Sequence, residues 1–305
     1  VALVDRKSEG AWWLNIAPGG QPQLSRVAEA INAADPRHLQ DLLFGALAVN
    51  TEAALVLCIE GHGAGFVPDI DAAKLTEENF ASLSNGVVRW QVPNTGPFDD
   101  DGNPILPMVY PLTGSKPLVA DNQPLLSTWA LGEALRRGLQ SKPAAGRKIA
   151  VLHLNNCFNF AIEVLHTVSP YAHFATGYMN YNFFTAGASY PTVFEELKAM
   201  SGPTTASDLA QLFARENRRA LTPTGEVHDH PTTGGAIQLA KMKAIADGVD
   251  HLAQALIAAL PRSREVIKHA IVRAQKYDTG SGFGLQAPDQ LTDLRDLAAK
   301  LYTSA

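Results

Sequence analysis

Cysteine is scarce in this chain: 305 residues hold two, Cys58 and Cys157. At most one disulfide can form, which excludes a disulfide-stapled scaffold. Long hydrophobic runs are missing too. No apolar stretch approaches the roughly 18 residues of a membrane span, although 46% of the residues are hydrophobic, ample for the core of one α/β domain or two. Positive charge is not in excess. Against 25 Lys and Arg stand 30 Asp and Glu, for a net charge of −5, and the basic residues are scattered, leaving no electrostatic footprint for nucleic acid or a membrane surface. No internal repeat and no low-complexity tract appears. The first residues, from Val1, carry no signal-like segment. The sequence does not open on methionine, so compartment stays open between secreted, periplasmic and cytoplasmic.

What the chain does have is two apolar runs that each stop at a chemically useful residue. Ile149-Ala150-Val151-Leu152-His153-Leu154 ends in Asn155-Asn156-Cys157. A continuous β-branched and aliphatic run bounded by Arg147-Lys148 and two amides reads as a buried strand of a parallel sheet. Phe158 to Val168 follows with helical spacing, Phe158, Ala161, Ile162 and Leu165 sharing a face. Cys157 is thus expected at the carboxyl end of the sheet, where open α/β folds bind ligands, and at a helix N-terminus, whose dipole favours the thiolate. The second run, Ala53 to Ile59, ends in Glu60-Gly61-His62-Gly63-Ala64-Gly65-Phe66. A histidine flanked by glycines at a strand exit leaves room for a substrate backbone. The plain alternatives are a buried core thiol for Cys157, a small buried hydrophobe for Cys58, and a loop histidine for His62.

The remaining pattern is β-α-β. Ala11 to Ala17 reads as the first strand, closed by Pro18-Gly19-Gly20, and Ser25 to Ala33 as an amphipathic helix capped by Ser25. Asp35 to Ala48 is a second helix, Asp121 to Leu139 a third, and Tyr171 to Thr176 a strand. Thr192 to Met200 and Ala206 to Arg219 are helices before a polar loop at Thr222 to Thr233; Gly234 to Leu260 and Leu291 to Leu301 complete a helical C-terminal part from 234 to 305. This alternation argues for a mainly parallel sheet with right-handed crossovers. Val67 to Pro117 departs from the rhythm with seven prolines and reads as an insertion near the site's rim.

His62-Gly63 after one strand and Cys157 after another, in that order, resemble the paired signature of the caspase-like clan of cysteine peptidases. In detail the chain resembles the clostripain family. Gly61-His62-Gly63-Ala64-Gly65-Phe66 is similar to its His-Gly-x-Gly-aromatic segment, Cys157-Phe158 through Glu163-Val164 to its Cys-x-x-x-x-x-Glu-Val segment, and Tyr171 to Gly177 to its next strand. The resemblance implies one domain over 1–305, a caspase-like three-layer α/β/α sandwich, and a cysteine endopeptidase. Cys157 would be the nucleophile, His62 the acid and base, and the backbone N–H groups of Gly63 and Cys157 the oxyanion donors. The His62-to-Cys157 spacing of 95 positions is longer than the family pattern, in keeping with an insertion at 67–117. Family members are often cut between the two blocks. Arg136, Arg137, Lys142, Arg147 and Lys148 lie in that interval, with no cut assigned among them.

Substrate selection departs from the pattern. Members cleave after Arg or Lys and carry an Asp two positions before the nucleophile, where this chain has Asn155. An amide keeps hydrogen bonding but lacks the charge that pairs with a basic side chain. Together with Gly177 and Tyr178, which the resemblance places at the primary pocket, this points to a neutral or hydrophobic primary residue; read without the resemblance, Asn155 is a turn residue capping the next helix. His228-Asp229-His230 lacks a third metal ligand. Asp99-Asp100-Asp101-Gly102-Asn103 lacks the closing Glu of a calcium loop, so no cofactor is expected and calcium, which the family sometimes needs, has no assigned site. His153 reads as a core histidine, and Thr279 to Gly284 as a flexible loop. Two rivals stand beside the peptidase: a transpeptidase or amidase using the same pair, and a catalytically silent binding module of the same fold. The expected partner is a peptide or protein substrate, with oligomeric state open.

Overall fold

The run from Ile149 has nowhere to expose a polar face, and the fold gives it none. In the computed structural model, which describes residues 1–6, 10–17, 19–27, 36–49, 52–61, 65, 126, 128–140, 146–182, 188–228, 233–277 and 291–304, all seven residues of the strand Ile149–Asn155 are buried. In chain order the strands are β1 (Ala2–Arg6), β2 (Gly10–Asn15), β3 (Gln23–Arg26), β4 (Val56–Glu60), β5 (Ile149–Asn155), β6 (Ala172–Tyr178) and β7 (Gly234–Gln238). The helices are α1 (Pro36–Val49), α2 (Thr128–Gln140), α3 (Ile162–Val168), α4 (Tyr190–Ala199), α5 (Ala206–His228), α6 (Met242–Arg273) and α7 (Leu294–Ser304).

The main sheet runs β4-β5-β6-β7. The pairs β4/β5 and β5/β6 are parallel, and β7 closes the edge antiparallel to β6. Period-two alternation splits the β5 side chains between two helical layers. On one face Leu152 and Leu154 pack with Leu43 and Leu47 of α1, Leu135 and Leu139 of α2, and Val164 and Leu165 of α3. On the other, Val151 meets Leu209 and Ala210 of α5, with Leu197 of α4 beside them. The result is a three-layer α/β/α sandwich around a mainly parallel sheet. Each fully buried leucine stabilises it by about 1.5–3 kcal/mol.

Several expectations need correction. The strand over Gly10–Asn15 is not the first strand of the parallel sheet; it is the middle of a separate antiparallel sheet, β1-β2-β3. Ser25 and Arg26 are not helical, because they pair with Trp13 and Trp12 of β2; the two tryptophans offer a cross-strand partner that local helix propensity cannot see. Gly234 to Gln238 is strand rather than helix, for the sheet edge at β6 needs a partner and two glycines permit close approach. The helix α5 continues through Pro223 to His228, where a polar loop was expected; a helix already nucleated over many turns tolerates one missing N–H. The C-terminal part is therefore helical only from Leu239. All of 67–125, with the insertion and the Asp99–Asp101 cluster, lies outside the described residues, as do Asp229, His230 and the glycine-rich stretch at 279–284. Arg136 and Arg137 sit on α2, both ion-paired with Glu133. No described helix is long and apolar enough to cross a membrane.

The β6/β7 contact is tight. A Cβ built on Gly234 would lie 2.7 Å from the carbonyl oxygen of Gly177, a backbone atom that cannot swing aside. Gly234→Ala is expected to destabilise the fold by about 1–3 kcal/mol, read as a lower denaturant midpoint in equilibrium unfolding; an unchanged midpoint would show that the edge strand moves freely.

Candidate active site

The parallel register brings the two chemical blocks to one end of the sheet. Glu60, the last residue of β4, pairs with Asn155, the last of β5. His62 follows Glu60 by two positions and Cys157 follows Asn155 by two. His62 and Gly63 themselves lie outside the described residues. A later residue of the same glycine-rich segment is described: the backbone N–H of Gly65 donates to Asn159 Oδ1 at 3.1 Å. One end of the histidine segment is thereby tied to the turn that carries Cys157.

That turn is sharp and strained. Phe158 has φ +61°, a left-handed conformation that a bulky side chain adopts only under constraint. The constraint is visible. The Phe158 N–H donates to the Asn180 carbonyl and the Phe160 N–H to that of Tyr178, both at 3.1 Å, while the Phe158 ring packs edge-on against Tyr181. The chain thus runs along the end of β6 before α3 can start. Helix α3 begins at Ile162, after Ala161 as an N-cap that makes no side-chain bond. The expectation of a helix from Phe158, with its dipole on the thiol, is corrected: four residues lie between Cys157 and the first helical position, and the effect fades within a turn.

The surroundings of Cys157 are amides. The residue is 8% exposed. Its Sγ–H donates to Asn182 Oδ1 at 3.3 Å, and the Asn182 backbone N–H donates to Sγ at 3.4 Å. Asn182 is itself held, its Nδ2 donating to the Asn155 carbonyl at 2.8 Å. The Asn155 side chain is buried, accepts a long contact from Asn182 Nδ2 at 3.5 Å and donates to Glu60 Oε1 at 3.4 Å. It caps no helix. Asn156 Oδ1 and Asn180 Nδ2 are buried with no hydrogen-bond partner among the described residues. Gly177 and Tyr178 are buried at the end of β6 and, with Asn217, Arg218 and Leu221 of α5, line a cavity of about 280 Å³. Burial, then the charges of Glu60 and Cys157, push the Tyr178 hydroxyl up.

Sequence reasoning had not singled out Asn182, Asn180 or Glu60 as site residues. The available signal was short polar residues at the carboxyl ends of adjacent strands, Asn155-Asn156 after one and Asn180 and Asn182 after the next. The other cysteine is set apart. Burial pushes the Cys58 thiol up to about 11, so it stays protonated and inert. Among the described residues no group of three His, Cys, Asp or Glu could hold a metal ion.

No protein-family model matches the chain, and no curated protein does. Solved structures similar to it include a secreted C11 cysteine protease of Bacteroides thetaiotaomicron, "iotapain", at 12% identity and a TM-score of 0.48, covering 98% of this chain and 71% of that one. A secreted C11 cysteine protease of the same organism in complex with an irreversible peptide inhibitor aligns at 13% identity and a TM-score of 0.47, over 99% of this chain and 71% of the other. An inactive zymogen C11 protease of Parabacteroides distasonis aligns at 10% identity and 0.47, over 99% and 68%.

Beneath the site, on β5, His153 is fully buried, as the core reading expects. Asn217 Nδ2 faces its Nε2 at 3.0 Å and Thr176 Oγ1 its Nδ1 at 2.9 Å. An amide N–H can only donate, which assigns the neutral Nδ1–H tautomer. Burial lowers the pKa to about 4, with the bond to Thr176 opposing. The unfolded chain takes up this proton near pH 6.5, so the folded state loses stability as pH falls from there towards 4. The expected loss between pH 6.5 and 4.5 is about 2–3 kcal/mol from this residue. His153→Gln should flatten that part of the urea-unfolding pH profile; an equally steep profile in the variant would assign the loss elsewhere.

Proposed function

We propose that the chain is a cysteine endopeptidase acting on peptides or proteins, with Cys157 as nucleophile and His62 as its acid and base. One observation carries the reading: β4 and β5 pair so that Glu60 stands opposite Asn155, and the bond from Gly65 to Asn159 holds the segment after His62 against the turn after Cys157. Two blocks 95 positions apart are thereby set at neighbouring strand ends, where a thiol and an imidazole can share a substrate.

In this reading His62 takes the Cys157 thiol proton, and the thiolate attacks the scissile carbonyl carbon as the electron pair moves onto the oxygen. The backbone N–H groups of Gly63 and Cys157 stabilise that oxyanion. Collapse of the tetrahedral intermediate expels the amine, protonated by His62, and leaves a thioester on Cys157. Water, deprotonated by His62, then hydrolyses the thioester. No cofactor takes part in these steps. The strained turn at Phe158 supports the assignment, since such conformations persist where the surroundings force them and cluster at functional sites.

The primary residue of the substrate is neutral or hydrophobic in this proposal. Asn155 bears no charge, and the cavity at Gly177 and Tyr178 is lined by Leu221 and Arg218 and by no carboxylate among the described residues.

The test is hydrolysis of a fluorogenic peptide library varied at the residue before the scissile bond. The wild type should cleave peptides with a neutral residue there, and Cys157→Ala should lose at least about a thousandfold in kcat/KM. Cleavage restricted to Arg or Lys would overturn the specificity; a new peptide bond in the product would favour the transpeptidase. No cleavage at any calcium concentration, with Cys157 unreactive towards iodoacetamide, would leave the binding module.

A further inference from the structure

The Cys157 sulfur is gripped twice by one residue. Asn182 receives the thiol proton on Oδ1 at 3.3 Å and presents its own backbone N–H to the sulfur at 3.4 Å. The side chain cannot turn round without losing its 2.8 Å bond from Nδ2 to the Asn155 carbonyl, and the residue is completely buried. Asn182 is therefore not a surface amide that happens to lie near a thiol. We infer that Asn182 is a positioning residue for the Cys157 sulfur and sets the pH at which that sulfur ionises.

This rests on Cys157 being the nucleophile, and the chemistry has two opposed parts. A hydrogen bond accepted from S–H favours the neutral thiol, whereas one donated by a backbone N–H favours the thiolate. The fixed amide supplies both, with its oxygen turned towards sulfur. The sulfur is held in one place between two contacts that act in opposite directions on its ionisation. The helix dipole that would otherwise favour ionisation starts too far along the chain. Of the titratable groups on neighbouring strands, Tyr178 of β6 has its hydroxyl pushed up by burial, then by Glu60 of β4 and Cys157, and so stays neutral beside the sulfur; His62 lies outside the described residues.

Two variants separate the oxygen from everything else about the residue. Asn182→Asp and Asn182→Ala both lose the Nδ2 bond to Asn155 and both keep the backbone N–H. They differ in what faces the sulfur. The carboxylate of Asn182→Asp opposes a neighbouring thiolate and should move the midpoint of the alkylation-rate pH profile up by about one unit. Asn182→Ala removes the acceptor and should move it down by about half a unit. The rate is that of iodoacetamide at Cys157, followed by mass spectrometry of its peptide so that Cys58 does not contribute. Opposite shifts support the inference, because a merely structural residue would move both variants alike or neither. Shifts of the same sign, or midpoints unchanged within about 0.2 units, overturn it. If Asn182→Ala shows no cooperative thermal transition, the near-isosteric Asn182→Asp decides alone: an upward shift supports and an unmoved midpoint overturns. Peptide hydrolysis distinguishes the two failures. Cys157-dependent cleavage with unmoved midpoints sinks this inference and leaves the peptidase; opposite shifts without any cleavage do the reverse.

Discussion

The parallel pairing of β4 with β5 is the constraint on which the rest depends. A parallel ladder fixes both strands' carboxyl ends at the same edge, and the register sets Glu60 opposite Asn155. Slipping the register by one residue would turn Val151 and His153 towards the α1–α3 layer and Leu152 and Leu154 towards α5. The fully buried His153, with partners on Thr176 and Asn217, makes that slip expensive, because its ring nitrogens would lose both bonds in a dry environment. Hydrophobic burial makes the strand stable, and one polar residue within it makes the register unique.

The same economy of buried amides extends to the loop after β6. Asn182, before residues 183–187, bonds to Cys157 and Asn155. Ser189, after them, donates to Asn217, which in turn faces His153. Both flanks of the segment are pinned to β5, one at the turn after the strand and one at its interior. Each of these bonds contributes only about 1 kcal/mol net, but leaving any of the buried groups unpaired would cost about 1–3 kcal/mol. The network therefore acts less by adding stability than by penalising every alternative placement of these two flanking residues.

Much of this was legible in the sequence. The apolar runs at 53–59 and 149–154 pointed to two strands of a parallel sheet, since a sheet buried on both faces suits such continuous runs. The terminal residues Asn155 and Cys157 gave the site's position at the carboxyl edge. What was not legible has a common cause: it depends on a partner distant in the chain. Gln23 to Arg26 becomes a strand because Trp12 and Trp13 are there to pair with. Gly234 to Gln238 does so because β6 offers an open edge. In both places local propensity gives way to the need to satisfy backbone groups.

The start of α3 shows how such a tertiary demand changes chemistry. By spacing alone, Phe158, Ala161, Ile162 and Leu165 form one helical face. The N–H groups of Phe158 and Phe160 are instead taken by the carbonyls of Asn180 and Tyr178, which forces Phe158 to φ +61° and postpones the helix to Ile162. A left-handed Phe costs of order 1–3 kcal/mol, and two backbone bonds to the end of β6 offset it. The consequence is electrostatic. A cysteine at a helix N-terminus would have its thiolate favoured by aligned peptide dipoles; Cys157 in this turn instead receives the backbone N–H of Asn182, opposed by that residue's own amide oxygen.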